Sequence, residues 1–158
     1  MKKWIIYLTA IVVIMGLAIT LGSQTVDAKT VPTALRGNWY NLAPASETGT
    51  SHATMWGYHY RKHSLTITSG HQSQTMTTKH MGITKWKTRI RFQGGHWQTA
   101  TAYTAGWGDM PSFIPASGIF HGKRHRMLLC IPQNGNWFDV YTHFKPKVHW
   151  ELKIAMKN

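Results

Sequence analysis

Two histidine pairs are the first residues of this sequence whose spacing could do chemistry. His59 and His63, and likewise His121 and His125, are separated by three residues. That spacing suits a metal ion when both imidazoles lie on one face of a helix. Here both pairs lie in sequence typical of strands or turns, among Lys and Arg residues whose charge repels metal ions. The sequence therefore predicts no metal site and no cofactor.

Catalytic groups are scarce in the rest of the chain. Beyond residue 28 the carboxylates are Glu47, Asp109, Asp139 and Glu151. No motif surrounds any of them, whereas a glycosidase needs two carboxylates that work together. Ser112 and Ser117 lack the Gly-x-Ser-x-Gly setting of a serine nucleophile. The single cysteine, Cys130, lies in an apolar run that favours an inert thiol. The sequence therefore predicts a protein without enzymatic activity.

A row of cations is the strongest functional signal. From Lys85 to Phe92 the residues alternate strictly, which is typical of a half-buried strand. One face of this strand would carry the cations Lys85, Lys87, Arg89 and Arg91. Neighbours in the row are about 6.6 Å apart, close to the phosphate repeat of an extended polyanion. Because the chain has a net charge of +13, we predict that the row binds anionic polymers. The alternative is a solvated face that resists edge pairing.

The N-terminus predicts export. Two lysines precede an apolar run from Trp4 to Gly22, and small or polar residues lead to Ala28. This pattern is typical of a secretory signal peptide, with a hydrophobic signal helix in residues 1–28 and a single mature domain in residues 29–158. The alternative is an uncleaved membrane anchor, because about 19 apolar residues could span a bilayer. The predicted location of the cleaved form is extracellular.

A first hairpin is predicted around Gly94-Gly95, a dipeptide that favours a two-residue turn. This turn would place Phe92 opposite Trp97 and Trp86 opposite Tyr103. The aromatic residues of both strands would then share one apolar face. The cationic row would lie on the other face of the hairpin.

A second hairpin is predicted around Asn134-Gly135, the strongest short turn signal. It would place Leu129 opposite Val140 and Met127 opposite Thr142. A final strand alternates from Val148 to Met156.

Further strands are predicted at Gly37–Leu42, Thr54–Tyr60, Ser64–Thr68 and Gln74–Lys79. The stretches Ala43–His52 and Gly106–Gly118 are rich in Gly, Pro and Ser and are predicted to be loops. About eight short strands, each a neighbour of the next, indicate an all-β domain. Its form would be a small antiparallel up-and-down barrel or a sandwich.

Two resemblances concern the start of the mature domain. The segment Val31–Tyr40 resembles the start of short uncharacterised extracellular proteins of Gram-positive lactic acid bacteria, which implies a secreted or wall-associated protein. Within it, Gly37-Asn38-Trp39-Tyr40 resembles the Gly-x-Trp-Tyr that opens the first strand of lipocalins. That resemblance implies a barrel for a small apolar ligand, with Trp39 packed across its closed end. The late arginine that packs on this Trp in lipocalins has its only match in Arg126, and the family's Thr-Asp-Tyr motif is absent.

An aromatic face forms another candidate site. Trp137, Asp139, Tyr141 and His143 alternate along one strand, and aromatic rings beside an acid can hold a sugar ring by stacking and hydrogen bonding. The alternative is that these residues lie in the interior of the domain or in an interface.

These observations predict a secreted module that associates with the cell envelope and binds teichoic acid-like polymers electrostatically. The expected partner is an anionic cell-wall polymer or a membrane surface. Nucleic acid is disfavoured because the sequence is predicted to be exported and has no recognised nucleic-acid-binding motif. The alternatives are a lipocalin-like carrier of a small apolar ligand and a carbohydrate-binding module.

Overall fold

The computed structural model of the protein describes residues 30–106, 109–120 and 122–157. The predicted signal peptide, residues 1–28, lies outside the described residues. The described chain contains one short helix, α1 (Ala45–Thr48). Its strands are β1 (Gly37–Ala43), β2 (Thr54–Tyr60), β3 (Ser64–Ser69), β4 (Gln72–Thr77), β5 (Gly82–Phe92), β6 (Gln98–Gly106), β7 (Ser112–Phe120), β8 (Lys123–Cys130), β9 (Trp137–Thr142) and β10 (Glu151–Lys157).

All ten strands belong to one antiparallel sheet in the order β10-β5-β6-β7-β8-β9-β1-β2-β3-β4. Strand β10 also pairs with β9, so the pairings of β5 to β10 form a closed cycle of six strands. Strands β1 to β4 continue from β9 as an arm. The predicted all-β antiparallel class is confirmed, with ten strands in place of about eight.

The sheet buries apolar side chains on both faces. One hydrophobic cluster takes residues from each strand of the six-strand cycle, including Ile90, Ile114 and Ile154, and therefore lies inside it. The other cluster includes Trp39 and Phe113 and lies between the outer face of the cycle and the arm. Because successive side chains of a strand point to opposite faces, neighbours such as Phe113 and Ile114 enter different clusters.

The predicted register of the hairpin around Asn134-Gly135 is confirmed, and the ladder between its strands ends at Cys130 and Asp139. Leu129 pairs with Val140, and Met127 pairs with Thr142, in the predicted register. Leu129 and Val140 are both buried inside the cycle. The turn signal and the apolar alternation therefore agree with the fold.

The predicted register of the first hairpin is wrong by one residue. Trp86 pairs with Ala102 and Ile90 pairs with Gln98. The turn forms one residue earlier than expected, because the Gly95 N–H donates to the Phe92 carbonyl at 2.9 Å. Gly94 takes the positive φ of 73° in this turn. A slip of one residue exchanges the two faces of a strand.

The size of the interior explains this register. Six strands enclose a narrow interior, and Ala102, which has no exposed surface, fits there. The predicted register would instead have pointed Trp97 and Tyr103 inward. Both aromatic side chains lie on the outer face, beside the cationic row.

The predicted loop Gly106–Gly118 is also wrong, because its second half belongs to β7. This strand pairs with β8 from Phe113 to Phe120. It pairs with β6 only at Phe113 and Ser112. Pro115 has no N–H to donate and lies beyond the end of the β6 ladder, where no donor is required.

Smaller differences concern element ends. The predicted loop Ala43–His52 contains α1. The last strand begins at Glu151 rather than at Val148.

Across the described ranges, no helix has the length and apolar character to cross a membrane.

Candidate functional site: a cationic face around Trp97

Strand β5 places the predicted cationic row on the surface. Lys85, Lys87, Arg89 and Arg91 are all exposed. The residues between them point inward, and Thr88 and Ile90 are buried. Period-two alternation therefore separates the charged positions from the interior.

The corrected register brings Trp97 into this row. The centroid of its indole ring lies 5.9 Å from the guanidinium carbon of Arg89 and 5.1 Å from that of Arg91. The Nζ of Lys157 lies 4.5 Å from the same centroid. Cations at such distances are attracted to the face of an aromatic ring. The Trp97 indole therefore contacts cations of both β5 and β10.

Strand β10 supplies a second set of cations beside the first. Lys157 pairs with Arg89, and Ala155 pairs with Arg91. The Nζ of Lys153 lies 5.8 Å from the ring centroid of Trp137, whose surface is 53% exposed. The cationic face is defined here as Lys85, Lys87, Arg89, Arg91, Lys153 and Lys157, together with Trp97 and Trp137.

The charges of the cationic face are not neutralised by the described part of the chain. No ion pair within 4.0 Å joins any of its six cations to a described carboxylate. Lys87 Nζ donates a hydrogen bond to Thr101 Oγ1 at 2.8 Å. A recess of about 490 Å³ lies between Arg91 and Lys153. The face therefore presents a positive potential that can attract anions.

Other basic residues lie elsewhere on the surface. Arg124 donates a hydrogen bond to Ser117 Oγ at 3.1 Å. Arg126 donates to the Ala34 carbonyl at 3.2 Å. Both arginines belong to β8, which β6 and β7 separate from β5, so they do not extend the cationic face directly.

Trp39 is a packing residue in this structure. It is 0% exposed, and its Nε1–H donates to the Leu35 carbonyl at 2.6 Å. The ring stacks on His143 with centroids 3.8 Å apart. The Arg126 guanidinium lies 5.5 Å from the Trp39 ring centroid. The indole is thus enclosed by packing contacts and offers no surface to a ligand.

The residues of the predicted aromatic face lie in different environments. Trp137 is exposed on the cationic face, and Asp139 is half-buried. Tyr141 packs in the outer cluster, with ring centroids 5.4 Å from Tyr58 and 5.5 Å from Phe113. Burial, the largest cause, raises the pKa of Tyr141. These side chains therefore do not form one stacking surface.

Sequence reasoning missed a carboxylate–histidine cluster, which consists of Glu47, Asp139, His149 and Glu151. His149 Nε2 lies 3.4 Å from Asp139 Oδ1, 3.6 Å from Glu151 Oε1 and 4.0 Å from Glu47 Oε1. Burial raises the pKa of Asp139, and the Glu47 and Glu151 carboxylates add to the rise, whereas His149 opposes it. The signal available in the sequence was the scarcity of acids, since most of them meet at this one imidazole.

Cys130 pairs with Asp139 across β8 and β9. Burial, with a smaller effect of the Asp139 charge, raises the pKa of the Cys130 thiol to about 12. Because the thiolate is the reactive form, the folded protein holds almost none of it at pH 8.

We expect the Cys130 thiol to react at least ~100-fold more slowly with a disulfide reagent in the folded protein than in urea-unfolded protein at pH 8. The rates are measured by following the absorbance of the released thiolate. Equal rates in the two states would contradict the burial of this thiol.

The cationic face can attract anions. The carboxylate–histidine cluster, which lies apart from it, can attract cations. No nucleophile, base and orienting acid come together among the described residues of the cationic face and the carboxylate–histidine cluster. Comparison of the chain with models of protein families, with curated proteins and with solved structures found no match.

Proposed function

We propose that this protein is a secreted, non-catalytic module that associates with the cell envelope and binds teichoic acid-like polymers through its cationic face. The observation that supports this proposal best is the arrangement around Trp97. Arg89, Arg91 and Lys157 surround this ring and have no ion-pair partner within 4.0 Å among the described carboxylates.

The geometry suits a linear polymer of phosphates. Cations two residues apart on β5 are about 6.6 Å apart, and those of β10 lie on a neighbouring strand roughly 4.8 Å away. A polyphosphodiester chain along β5 would exchange its counterions for these side chains, which releases the counterions to solution. Trp97 restricts the cations before binding, so less conformational entropy is lost when a polymer binds.

Guanidinium groups add specificity for phosphate. A guanidinium presents donors in a planar fork that can bind two phosphate oxygens at once. Arg89 and Arg91 occupy the part of the row nearest Trp97. The recess between Arg91 and Lys153 offers a place where one phosphate could lie between two cations.

The proposed location follows from the N-terminal sequence. The positive start, apolar run and small residues before Ala28 favour export, so the partner would be an anionic cell-wall polymer or a membrane surface. An uncleaved anchor is the alternative form. Nucleic acid ranks below both partners because an exported domain would meet little of it.

A lipocalin-like carrier of a small apolar ligand is the second candidate. A recess of about 420 Å³ opens between β6 and β7, and its lining includes Ile90, Ala100 and Ile114. Ile90 and Ile114 belong to the interior cluster, so an apolar ligand could reach that cluster from here. The exposed Trp137 is the observation that favours the third candidate, a carbohydrate-binding module.

The proposal is tested by titrating soluble teichoic acid into the protein at several salt concentrations. If four to six phosphates are contacted, log K should fall against log salt with a slope of about −3 to −4, using roughly 0.7 per phosphate for a single-stranded polyanion. A neutral glycan and an apolar fluorescent probe serve as parallel ligands. Salt-insensitive binding of the probe or of the glycan, without binding of teichoic acid, would support the corresponding alternative and contradict the proposal.

A further inference from the structure

The carboxylate–histidine cluster lies apart from the cationic face and holds most of the acids of a strongly basic chain. Glu47 comes from α1, Asp139 from β9 and Glu151 from the start of β10. His149 lies just before β10, and the Val140 N–H donates to the Trp150 carbonyl at 2.9 Å. That hydrogen bond holds the segment with His149 against β9, so the fold itself brings these side chains together.

The hydrogen bond of the other ring nitrogen fixes the tautomer of His149. Its Nδ1 lies 3.0 Å from the Leu42 carbonyl oxygen, which can only accept, so Nδ1 carries a hydrogen. In the neutral ring, Nε2 therefore holds a lone pair. That atom is buried without a hydrogen-bond partner, and three carboxylates surround it. A lone pair facing three negative groups is unfavourable, so the cluster requires a positive charge at its centre.

The distances distinguish a proton from a metal ion as the source of that charge. The separations of 3.4, 3.6 and 4.0 Å from Nε2 to the carboxylate oxygens exceed the roughly 2.8 Å of a charge-assisted hydrogen bond. In a tetrahedral site with bonds of roughly 2.1 Å, neighbouring ligand atoms lie about 3.4 Å apart. The separations between Nε2 and the carboxylate oxygens are therefore closer to those between two ligands of one small cation than to a hydrogen bond.

We propose that Glu47, Asp139 and His149 bind a divalent transition-metal ion of the Zn²⁺ class. Glu47, Asp139 and His149 each offer one donor atom within 4.8 Å of the others. Imidazole suits Zn²⁺ and its neighbours, whereas Ca²⁺ and Mg²⁺ prefer oxygen ligands alone. A metal-binding imidazole ordinarily donates its other ring N–H to a carbonyl or a carboxylate. The Nδ1–H of His149 makes such a hydrogen bond to the Leu42 carbonyl.

The surroundings of the site also suit a metal ion. Burial is the main cause of the raised pKa of Asp139, and repulsion from the Glu47 and Glu151 carboxylates adds to it. A dication would remove that repulsion. A recess of about 630 Å³, whose lining includes Glu47, Asp139 and Tyr141, reaches the cluster and gives an ion a path from solvent. Binding would tie α1 and the segment just before β10 to β9.

The test is a titration of the chelator-treated protein with Zn²⁺, followed by calorimetry and thermal unfolding. We expect one saturable site per chain and a rise in Tm of about 5–10 °C at 100 times the Kd. Glu47→Gln and Asp139→Asn should each lower the affinity at least ~10-fold. Glu47 is exposed, so its replacement is compatible with folding. The Nε2 resonance of His149 in a long-range ¹H–¹⁵N spectrum should shift on addition of Zn²⁺.

Two controls separate this site from the other histidines and from the cationic face. His71→Gln removes an exposed imidazole in the turn between β3 and β4 and should leave the affinity unchanged. The variant Lys87→Gln, Arg89→Gln, Arg91→Gln should also keep the Zn²⁺ site. No saturable binding, equal binding by Glu47→Gln and Asp139→Asn, or a loss with His71→Gln would overturn the proposal. Stabilisation by Ca²⁺ equal to that by Zn²⁺ would overturn the assignment to a transition metal.

Discussion

The variant Lys87→Gln, Arg89→Gln, Arg91→Gln should lose nearly all affinity for teichoic acid at physiological salt. These residues are exposed on β5, and two of them contact Trp97. Each phosphate contact contributes to the release of counterions, so removing three cations should reduce the magnitude of the slope of log K against log salt by about 2. The quantity measured is the binding constant from calorimetry over a range of salt concentrations.

A charge-matched variant distinguishes a specific face from general positive charge. Arg61→Gln, Lys62→Gln, Arg124→Gln removes the same residue types from exposed positions outside the cationic face. It should retain most of the affinity and most of the salt slope. If both variants lose affinity equally, net charge alone explains the binding, and the role of the β5 row is contradicted.

Trp39→Ala should strongly destabilise the folded protein. Trp39 has no exposed surface, and its ring stacks on His143 and lies beneath Arg126. Its loss leaves a large cavity and removes the Nε1–H donor to the Leu35 carbonyl. The free energy of unfolding should fall by about 3–5 kcal/mol, a large part of the total stability of a typical domain. Urea unfolding followed by circular dichroism measures this change.

Trp137→Ala is the matched control for this substitution. Its side chain is 53% exposed and contacts Lys153 at the surface. The same chemical change should alter the free energy of unfolding by less than about 0.5 kcal/mol. Similar losses for the two variants would contradict the position of Trp39 in the core.

The two hairpins show how far the sequence predicts the fold. Around Asn134-Gly135 the turn type and the apolar alternation specify the same register, and that register is observed. Around Gly94-Gly95 two adjacent glycines allow the turn to begin at either of two positions. The choice depends on the width of the six-strand interior, which accepts Ala102. That width is a tertiary property, so the local pattern could not supply it.

The cationic face and the carboxylate–histidine cluster also differ in how far the sequence predicts them. The four cations of β5 follow from strict alternation within one strand, so the sequence places them on one face. The position of Lys157 beside Arg89 depends on the closure of β10 onto β5, which no local pattern indicates. His149 meets Glu47 across a long separation in sequence, and Glu47 lies in a segment predicted to be a loop. Clusters assembled from distant segments therefore had to come from the structure.

Binding to purified Gram-positive cell walls tests the proposed function most directly. The protein is mixed with intact walls and with walls stripped of teichoic acid, over a series of salt concentrations, and the bound fraction is measured after sedimentation. The account predicts binding to intact walls at low salt, release as salt rises, and little binding to stripped walls. Undiminished binding to stripped walls, or no binding to intact walls, would contradict it.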